Sequence, residues 1–337
     1  MRAIDVCAGA GGLSLGLQRA GFDVHGVDHY RQAVLVHRQH VGPCDLANIV
    51  SWHPPHAAHL VAGGVPCQAF SHQGGRAGMA ETVGPLFPET AEPRAHLYLE
   101  LLRIAREAKA RVCMLENVRG LMTWNKGEAF RTILAAFVAA GFKHVHHTLL
   151  DAADYGVPQH RVRVFVVGFK RGTDSKRFEW PGPTHGPVRL KPWVTVREAL
   201  MLDGEYAKGE RKAGWWQGGR MIDVDEPGHT IGTRNNAELL VRVRAAGLAD
   251  RPSTTVSATA GGRIPRSGHK GDGDQWKGAV RLSAQQCAAL QSFPPDWRWP
   301  PAEEDAHLCI GNAVPWPLGR ALGTSIMRAL DSATVRA

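Results

Sequence analysis

The sequence has few cysteines and does not group them. Its six cysteines stand at positions 7, 44, 67, 113, 287 and 309, without a Cys-x-x-Cys pair. This spacing indicates neither a zinc site nor a disulfide framework, so we expect reduced thiols. The histidine-rich stretches HPPHAAH and HVHH have no carboxylate or cysteine beside them. We therefore expect no metal ion.

Long apolar runs are also missing. No stretch is apolar for long enough to span a bilayer, and the opening MRAIDVCAGAGG lacks the order of a signal peptide. We expect a soluble, cytoplasmic protein that does not bind membranes. The 337 residues are 44% hydrophobic, which favours one large domain with a smaller one. The net charge of +9 favours a polyanionic partner but does not separate DNA from RNA.

The N-terminal half alternates between two hydrophobic patterns. Segments 2–6, 22–28, 59–64 and 111–117 have the pattern of strands, and segments 11–20, 30–40, 94–108 and 127–141 that of helices. This alternation is typical of βαβ units and a parallel sheet. Two apolar segments, 142–150 and 161–169, follow without a helix between them, which predicts an antiparallel pair. The fold class is therefore α/β, Rossmann-like, with a mixed and mostly parallel sheet.

From about residue 170 the composition changes. Glycine, proline and tryptophan become frequent, and residues 170–280 hold nineteen Lys and Arg against thirteen Asp and Glu. This predicts a smaller, basic, loop-rich domain. Helical patterns return in SAQQCAALQSF and PLGRALGTSIMRALDSA. We expect one domain of residues 1–169 and 281–337, and a second of residues 170–280.

Cys67 lies in the stretch VAGGVPCQAFSHQGG. A short apolar run closed by two glycines reads as a buried strand that ends in a loop. Open α/β sheets place their chemistry on such strand-exit loops. The alternative is a small buried hydrophobic residue, because free cysteine is among the most buried residue types.

The first strand leads into a glycine-rich turn with Gly9, Gly11 and Gly12. Glycines there let the backbone approach a ligand, although a tight turn alone is the alternative. The dinucleotide pattern requires a further glycine where this chain has Ser14, which disfavours a pyrophosphate cofactor. Asp28 ends the second strand, where an acidic residue binds ribose hydroxyls. Asp45 is placed to accept from an adenine amino group, or else to cap a helix before LANI.

Six motifs in order together resemble one family. DVCAGAGGLSLG is similar to a glycine-rich first motif, GGVPCQAFS to a nucleophile loop, ENVRGL to a glutamate motif and QHRVRVFVVG to a Gln-x-Arg-x-Arg strand. RLSAQQCAALQSFPPDW and GNAVPWPLG are similar to the last two motifs. The chain resembles the C5-cytosine DNA methyltransferases of restriction-modification systems, and the resemblance covers nearly all of it.

The resemblance implies a catalytic set that adds a thiolate to cytosine. Its members are Cys67 as nucleophile, Glu116 and Arg163 on the base, Arg161 in support, and Asn117 and Pro66 shaping the pocket. Thiolate is intrinsically nucleophilic and can later leave. Taken without the resemblance, Glu116 reads as a strand-end carboxylate, and the two arginines as a solvated or phosphate-facing row.

The resemblance also implies S-adenosyl-L-methionine as cofactor. The residues that match its site are Asp5, Cys7, Ala8, Gly9, Ala10, Gly11, Gly12, Asp28, Asp45, Leu46, Gly64, Asn312 and Ala313. Helix capping is the alternative for Asn312. The chain departs from the family at Cys7, where phenylalanine is usual, at Gly26, often glutamate, and at Ala313, often serine. Either Asp28 takes over the ribose contact or that contact is weaker.

The expected partner is double-stranded DNA with its target nucleotide flipped out. The matching DNA-binding residues are Gln68, Ser71, Arg94, Thr230, Arg234 and Thr255. Residues 71–94 match a loop that closes over DNA, and the basic middle domain matches a target recognition domain. Two similar segments, DEPGHTIGTRN and DRPSTTVSATAGGR, are alternative candidates to supply the threonine that lies beside the base.

The leading function is a DNA (cytosine-5-)-methyltransferase that acts on a specific short sequence through a covalent Cys67 adduct. We expect a monomer, with a cognate restriction endonuclease as a further partner. Two alternatives stay open at this point: an RNA cytosine-5 methyltransferase, and a catalytically silent DNA-binding regulator.

Overall fold

The computed structural model describes residues 1–66, 96–171, 175–201, 220–222, 225, 227–229, 239–242 and 279–331. The chain divides into two compact units. Unit 1 comprises Met1–Asp151, Val162–Pro181 and Gly319–Ala337, and unit 2 comprises Ala152–Arg161 and Gly182–Leu318. The sequence analysis places residues 281–318 in the catalytic domain, and that boundary stays a prediction.

Unit 1 alternates strands and helices along the chain, as its hydrophobic pattern predicts. Its strands are β1 (Arg2–Val6), β2 (Asp23–Asp28), β3 (Cys44–Leu46), β4 (Leu60–Gly63), β5 (Val112–Val118), β6 (Phe142–Asp151) and, after a two-residue strand β7 (Gln159–His160) of unit 2, β8 (Val162–Lys170). Its helices are α1 (Gly12–Arg19), α2 (Arg31–His40), α3 (Leu97–Glu107) and α4 (Glu128–Ala139).

The seven strands of unit 1 form one sheet in the order β3-β2-β1-β4-β5-β8-β6. Strands β1 to β5 run parallel, and β8 pairs antiparallel with both β5 and β6. The predicted antiparallel pair at the end of a mostly parallel sheet is therefore confirmed. Because β8 is reversed, its first residues meet the last residues of β5, and Arg163 pairs with Val118.

One face of the sheet packs on α3 and α4. Residues of β1, β2, β4, β5, β6 and β8 are buried in a single cluster with both helices, and in β1, β5 and β8 they alternate as the two-residue period of a strand requires. The strand members include Ile4, Val6, Val61, Cys113, Leu115, Val164 and Val166. This layer holds the ends of β1, β4 and β5 at one edge of the sheet, where open α/β sheets bind ligands.

Unit 2 contains short elements. Its helices are α5 (Val196–Ala199), α6 (Ala284–Leu290) and α7 (Glu303–Asn312), and its further strands are β9 (Arg220–Ile222), β10 (Gly228–His229), β11 (Leu239–Arg242) and β12 (Ala279–Arg281). Capping boxes start α5 at Thr195 and α6 at Ser283, each of whose side chains accepts a backbone N–H of its first turn. Strand β11 lies between β9 and β12, and β10 pairs with β7.

A last helix, α8 (Trp316–Asp331), belongs to unit 1 from Gly319 onward. It packs on α1 so closely that a side chain at Gly323 would lie 2.8 Å from the Ala20 Cβ. Within the described part of the chain, no helix is both long and apolar enough to cross a membrane.

Candidate active site

The turn between β1 and α1 is built on left-handed backbone. Cys7, Gly9 and Gly11 have φ angles of 57°, 56° and 95°. At Gly11 an added Cβ would lie 2.7 Å from Val41 Cγ2 and 3.0 Å from the ring of His37, so α2 packs against the turn there. At Gly9 an added Cβ would meet no atom of the described residues within 4 Å. The turn is therefore packed against α2 at Gly11 and open at Gly9, which leaves room for a ligand to approach the backbone.

Asp28 fixes this turn from the end of β2. Its side chain is buried, and Oδ2 accepts a hydrogen bond from the Gly9 N–H at 2.9 Å. Oδ1 accepts from the Tyr30 N–H at 2.8 Å. Both oxygens are therefore engaged by backbone amides. A ribose contact from Asp28 stays a prediction, and it would share these oxygens.

A buried network that the sequence analysis missed lies beneath the turn. Ser14 Oγ lies 2.6 Å from Asp5 Oδ2 and 2.9 Å from His37 Nε2, so its hydroxyl joins the two groups by hydrogen bonds. His37 Nδ1 is 3.3 Å from the Gly42 carbonyl oxygen. The network thus joins β1, α1 and α2. The only sequence signal was Ser14, which stands where a dinucleotide site would have glycine.

Burial shifts the pKa values of both titrating groups of this network so that their uncharged forms are favoured. Burial raises the pKa of Asp5 from 3.8 to about 7. The hydrogen bond with Ser14 lowers this pKa, and the Asp28 carboxylate raises it further. Burial lowers the pKa of His37 from 6.5 to about 4, although the Gly42 hydrogen bond raises it. Desolvation penalises an ionised form wherever that form is buried.

Asp45 lies at the edge of the sheet in a second polar cluster. Its Oδ2 is 3.0 Å from His25 Nε2 and accepts from Trp52 Nε1 at 2.9 Å. Burial raises the pKa of Asp45, but the hydrogen bonds from Trp52 and His25 outweigh this and hold the pKa below its ordinary value. Asp45 belongs to strand β3, so the alternative of a helix cap is wrong.

Glu116 and Arg163 form an ion pair where β5 ends and β8 begins. Arg163 Nε is 3.2 Å from Glu116 Oε1, with side chains 14% and 10% exposed. Burial lowers the pKa of Arg163, and the Glu116 carboxylate opposes that shift. The second oxygen, Oε2, lies 3.0 Å from where a Cβ of Gly64 would be. The reading of Arg163 as a solvated residue is therefore excluded.

Asn117 connects β5 to the loop that leads to Cys67. Its Nδ2 donates to the Val65 carbonyl at 3.1 Å, and its Oδ1 accepts the Val118 N–H at 2.9 Å. Asn117 is buried, and Pro66 is partly exposed. These bonds fix the chain just after β4 to the end of β5, beside Glu116. The residue that is held, Val65, directly precedes Pro66.

Arg161 lies between β7 and β8 and belongs to unit 2, not to one strand with Arg163. It is 3% exposed, and its Nη2 donates to the Gly311 carbonyl at 3.0 Å. Asn312, the last residue of α7, is exposed, and Ala313 is buried. Arg161 is thus not a solvated residue either, and its role in the site stays a prediction.

The structure brings together part of the predicted site. Residues of unit 1 at one edge of the sheet are Asp5, Cys7, Ala8, Gly9, Ala10, Gly11, Gly12, Asp28, Asp45, Leu46, Gly64, Pro66, Glu116, Asn117 and Arg163. The predicted nucleophile and the predicted DNA contacts lie outside the described residues: Cys67, Gln68, Ser71, Arg94, Thr230, Arg234 and Thr255. In the described part of the chain, no three His, Cys, Asp or Glu residues are grouped as a metal site requires.

Comparison with known proteins gives one consistent family. Residues 1–328 match the family model described as C-5 cytosine-specific DNA methylase. Type II methyltransferase M.FnuDI of Fusobacterium nucleatum is 26% identical over 98% of this chain and 95% of its own length. Type II methyltransferase M.AquIA of Picosynechococcus sp. is 34% identical over 59% of this chain and 87% of its own length.

A solved structure from E. coli, described as a proposed DNA modification methyltransferase encoded within a prophage, has the same fold. It aligns with a TM-score of 0.66 and 18% identity over 98% of this chain and 99% of its own. The sheet order, the residues at one edge of the sheet and the match over residues 1–328 agree. The chain belongs to the C-5 cytosine-specific DNA methylases, the DNA (cytosine-5-)-methyltransferases.

Proposed function

We propose that the chain methylates carbon 5 of a flipped cytosine within a short duplex DNA sequence, with Cys67 as nucleophile and S-adenosyl-L-methionine as methyl donor. The observation that carries the proposal is the buried Glu116–Arg163 ion pair beside the Asn117–Val65 hydrogen bond. These contacts fix the end of the β4 strand, which leads to Cys67, next to a carboxylate and a guanidinium.

The chemistry of cytosine explains why these groups are needed together. Carbon 5 is a poor nucleophile until a group adds to carbon 6, and a thiolate suits that addition because it can leave again. Addition places negative charge on the ring. Glu116, in its protonated form, would donate its proton to the ring nitrogen and accept a hydrogen bond from the amino group, and Arg163 would donate to the carbonyl oxygen. The pair is already buried and oriented, so little reorganisation is required during attack.

The residues at the turn between β1 and α1 suit a cationic cofactor. Asp5 Oδ1 is buried and has no hydrogen-bond partner among the described residues, and Gly9 faces open space. The carboxylates of Asp28 and Glu116 both lie close enough to act on Asp5, so negative charge is present near this turn. Residues proposed to hold the cofactor are those of the turn from Cys7 to Gly12, with Asp5, Asp28, Asp45, Leu46, Gly64, Asn312 and Ala313. When bound, S-adenosyl-L-methionine supplies an electrophilic methyl group.

The DNA contacts and the biological setting are also proposals. Gln68, Ser71 and Arg94 would meet phosphates, and Thr230, Arg234 and Thr255 would lie near the target base and its neighbours. We place the target recognition domain at residues 170–280 and the catalytic domain at residues 1–169 and 281–337. The enzyme would act as a monomer in the cytoplasm, with a cognate endonuclease of the same restriction-modification system.

Methyl transfer by purified protein tests this proposal. The protein is given S-adenosyl-L-methionine with a labelled methyl group and equal amounts of duplex DNA and structured RNA. Label in DNA alone is expected. Label in RNA but not in DNA would replace the proposal with an RNA methyltransferase, and tight DNA binding without transfer would replace it with a silent regulator.

A further inference from the structure

The Asp45 carboxylate presents its two oxygens differently. Oδ2 receives two N–H groups, from His25 at 3.0 Å and from Trp52 at 2.9 Å. No hydrogen bond to Oδ1 occurs among the contacts of the described residues. The side chain is 41% exposed, so Oδ1 is open to a ligand. Next to it, Leu46 is 49% exposed and offers an apolar surface.

The two donors are packed where they can hold that orientation. His25 lies on β2 two residues before Val27, which pairs with Asp45, so both side chains occupy one face of the sheet. The His25 side chain is 17% exposed and Trp52 is 8% exposed. A carboxylate only accepts hydrogen bonds, so His25 must carry its proton on Nε2.

The Trp52 segment is in turn held by α3. Arg103 Nη2 donates to the carbonyls of Ile49 at 2.7 Å and Trp52 at 2.9 Å. The same guanidinium is fixed by Glu100 and Glu107, at 2.6 and 2.8 Å. The indole N–H is therefore supported by a helix and does not depend on the loop alone.

We propose that His25 and Trp52 are positioning residues which, by occupying Oδ2 of Asp45, present Oδ1 as a fixed acceptor that selects the amino group of adenine. The inference rests on the proposed function, in which Asp45 meets the cofactor's adenine. Adenine offers two N–H donors at its 6-position, whereas a 6-oxo purine offers a carbonyl oxygen that an acceptor repels. Such discrimination arises because the wrong ligand leaves a buried or fixed polar group of the site unpaired.

The test compares two ligands that differ at this position. They are S-adenosylhomocysteine and its 6-oxo counterpart with hypoxanthine, and their dissociation constants are measured by calorimetry at pH 7.5. The wild type should prefer the adenine ligand on the order of 10- to 100-fold, the range for a hydrogen bond to a charged group. Asp45→Asn should remove most of the preference, because the amide can also donate.

The positioning role is read from the ratio of the two constants in four further variants. Trp52→Phe and His25→Leu should each lower the ratio several-fold. His25→Gln keeps an N–H donor and should restore it. His56→Leu is the matched control, because His56 contacts His25 only edge-on, with ring centroids 5.7 Å apart, and makes no hydrogen bond to Asp45 among the described residues. Its ratio should equal that of the wild type.

The failures of the two claims are distinguishable. If the wild type shows no preference and Asp45→Asn changes nothing, the assignment of Asp45 to the adenine fails, and the proposed function loses that contact. If Asp45→Asn removes the preference while Trp52→Phe and His25→Leu keep the wild-type ratio, only the positioning role is overturned. The positioning role is also overturned if Trp52→Phe and His25→Leu weaken the binding of both ligands equally and leave the ratio constant, because that result indicates a structural effect.

Discussion

Substituting either titrating group of the Asp5–Ser14–His37 network should make the free energy of unfolding depend on pH. The slope should have opposite signs for the two substitutions. Two proton arrangements satisfy every bond in the network. One pairs ionised Asp5 with an imidazolium at His37, and the other pairs protonated Asp5 with a neutral ring. Both hold a single proton, and burial favours the neutral pair, with pKa values of about 7 for Asp5 and about 4 for His37.

The magnitude follows from the difference in bound protons between the folded and unfolded states. Between pH 4 and 6.5 the unfolded chain also holds one proton on this pair, on histidine, so the pair contributes almost no slope in the wild type. His37→Gln leaves Asp5, whose raised pKa makes stability fall as pH rises from about 4 to 7. At about 1.4 kcal/mol per pH unit, that is about 4 kcal/mol over the window.

Asp5→Asn leaves His37, whose pKa is lowered by burial. Its contribution is present above pH 6.5 and is lost as the pH falls towards 4, so stability rises with pH by about 3 kcal/mol across that range. The other charged groups that act on the pair are Asp28 and Glu116 beside Asp5, and His25 and Arg38 beside His37. They are common to all three proteins.

Urea unfolding followed by circular dichroism at pH 4.5, 5.5 and 6.5 gives the free energy of unfolding of wild type and both variants. Subtracting the wild-type values removes the background of shared groups. The two difference curves should slope in opposite directions. Parallel curves, or slopes of the same sign, would refute the idea that one buried proton is shared between Asp5 and His37.

Three further predictions concern the sheet edge. Glu116→Gln should lower methyl transfer by about 100-fold or more in a labelled-methyl assay, with S-adenosylhomocysteine binding retained; unchanged transfer would contradict the role of the carboxylate. Asn117→Ala should reduce kcat more than it raises KM for the cofactor, because the Val65 carbonyl loses its donor; an effect on KM alone would oppose this. Gly63→Ala should destabilise the fold by about 1–3 kcal/mol in urea unfolding, because its Cβ would lie 2.5 Å from the Val6 carbonyl oxygen. Gly182→Ala is the control and should leave stability unchanged, because its Cβ would meet no atom of the described residues within 4 Å.

The regular part of the fold is predictable because its signal is local. Strands such as β5 and helices such as α3 show their period within a dozen residues, and the missing helix between β6 and β8 was enough to indicate the antiparallel pair. Strand β3 has only three residues, too few for a period, so the sequence analysis did not predict it and offered a helix cap before LANI as the alternative for Asp45.

The sequence analysis named candidate site residues by type, but it did not predict the contacts among them. Glu116 and Arg163 are 47 positions apart, and only the reversed direction of β8 brings them to one end of the sheet. His37 lies 32 positions from Asp5, and a histidine on the buried face of a helix reads as core. Such contacts depend on strand register and helix packing, which no short pattern encodes.

Base-resolution methylation sequencing tests the central claim most directly. Plasmid DNA is taken from cells that express the wild type and, separately, Cys67→Ala, with S-adenosylhomocysteine binding used to confirm that the variant is folded. The account predicts 5-methylcytosine in one short sequence context for the wild type and none for the variant. An unmodified plasmid from cells with soluble wild-type protein, or equal methylation by Cys67→Ala, would contradict it.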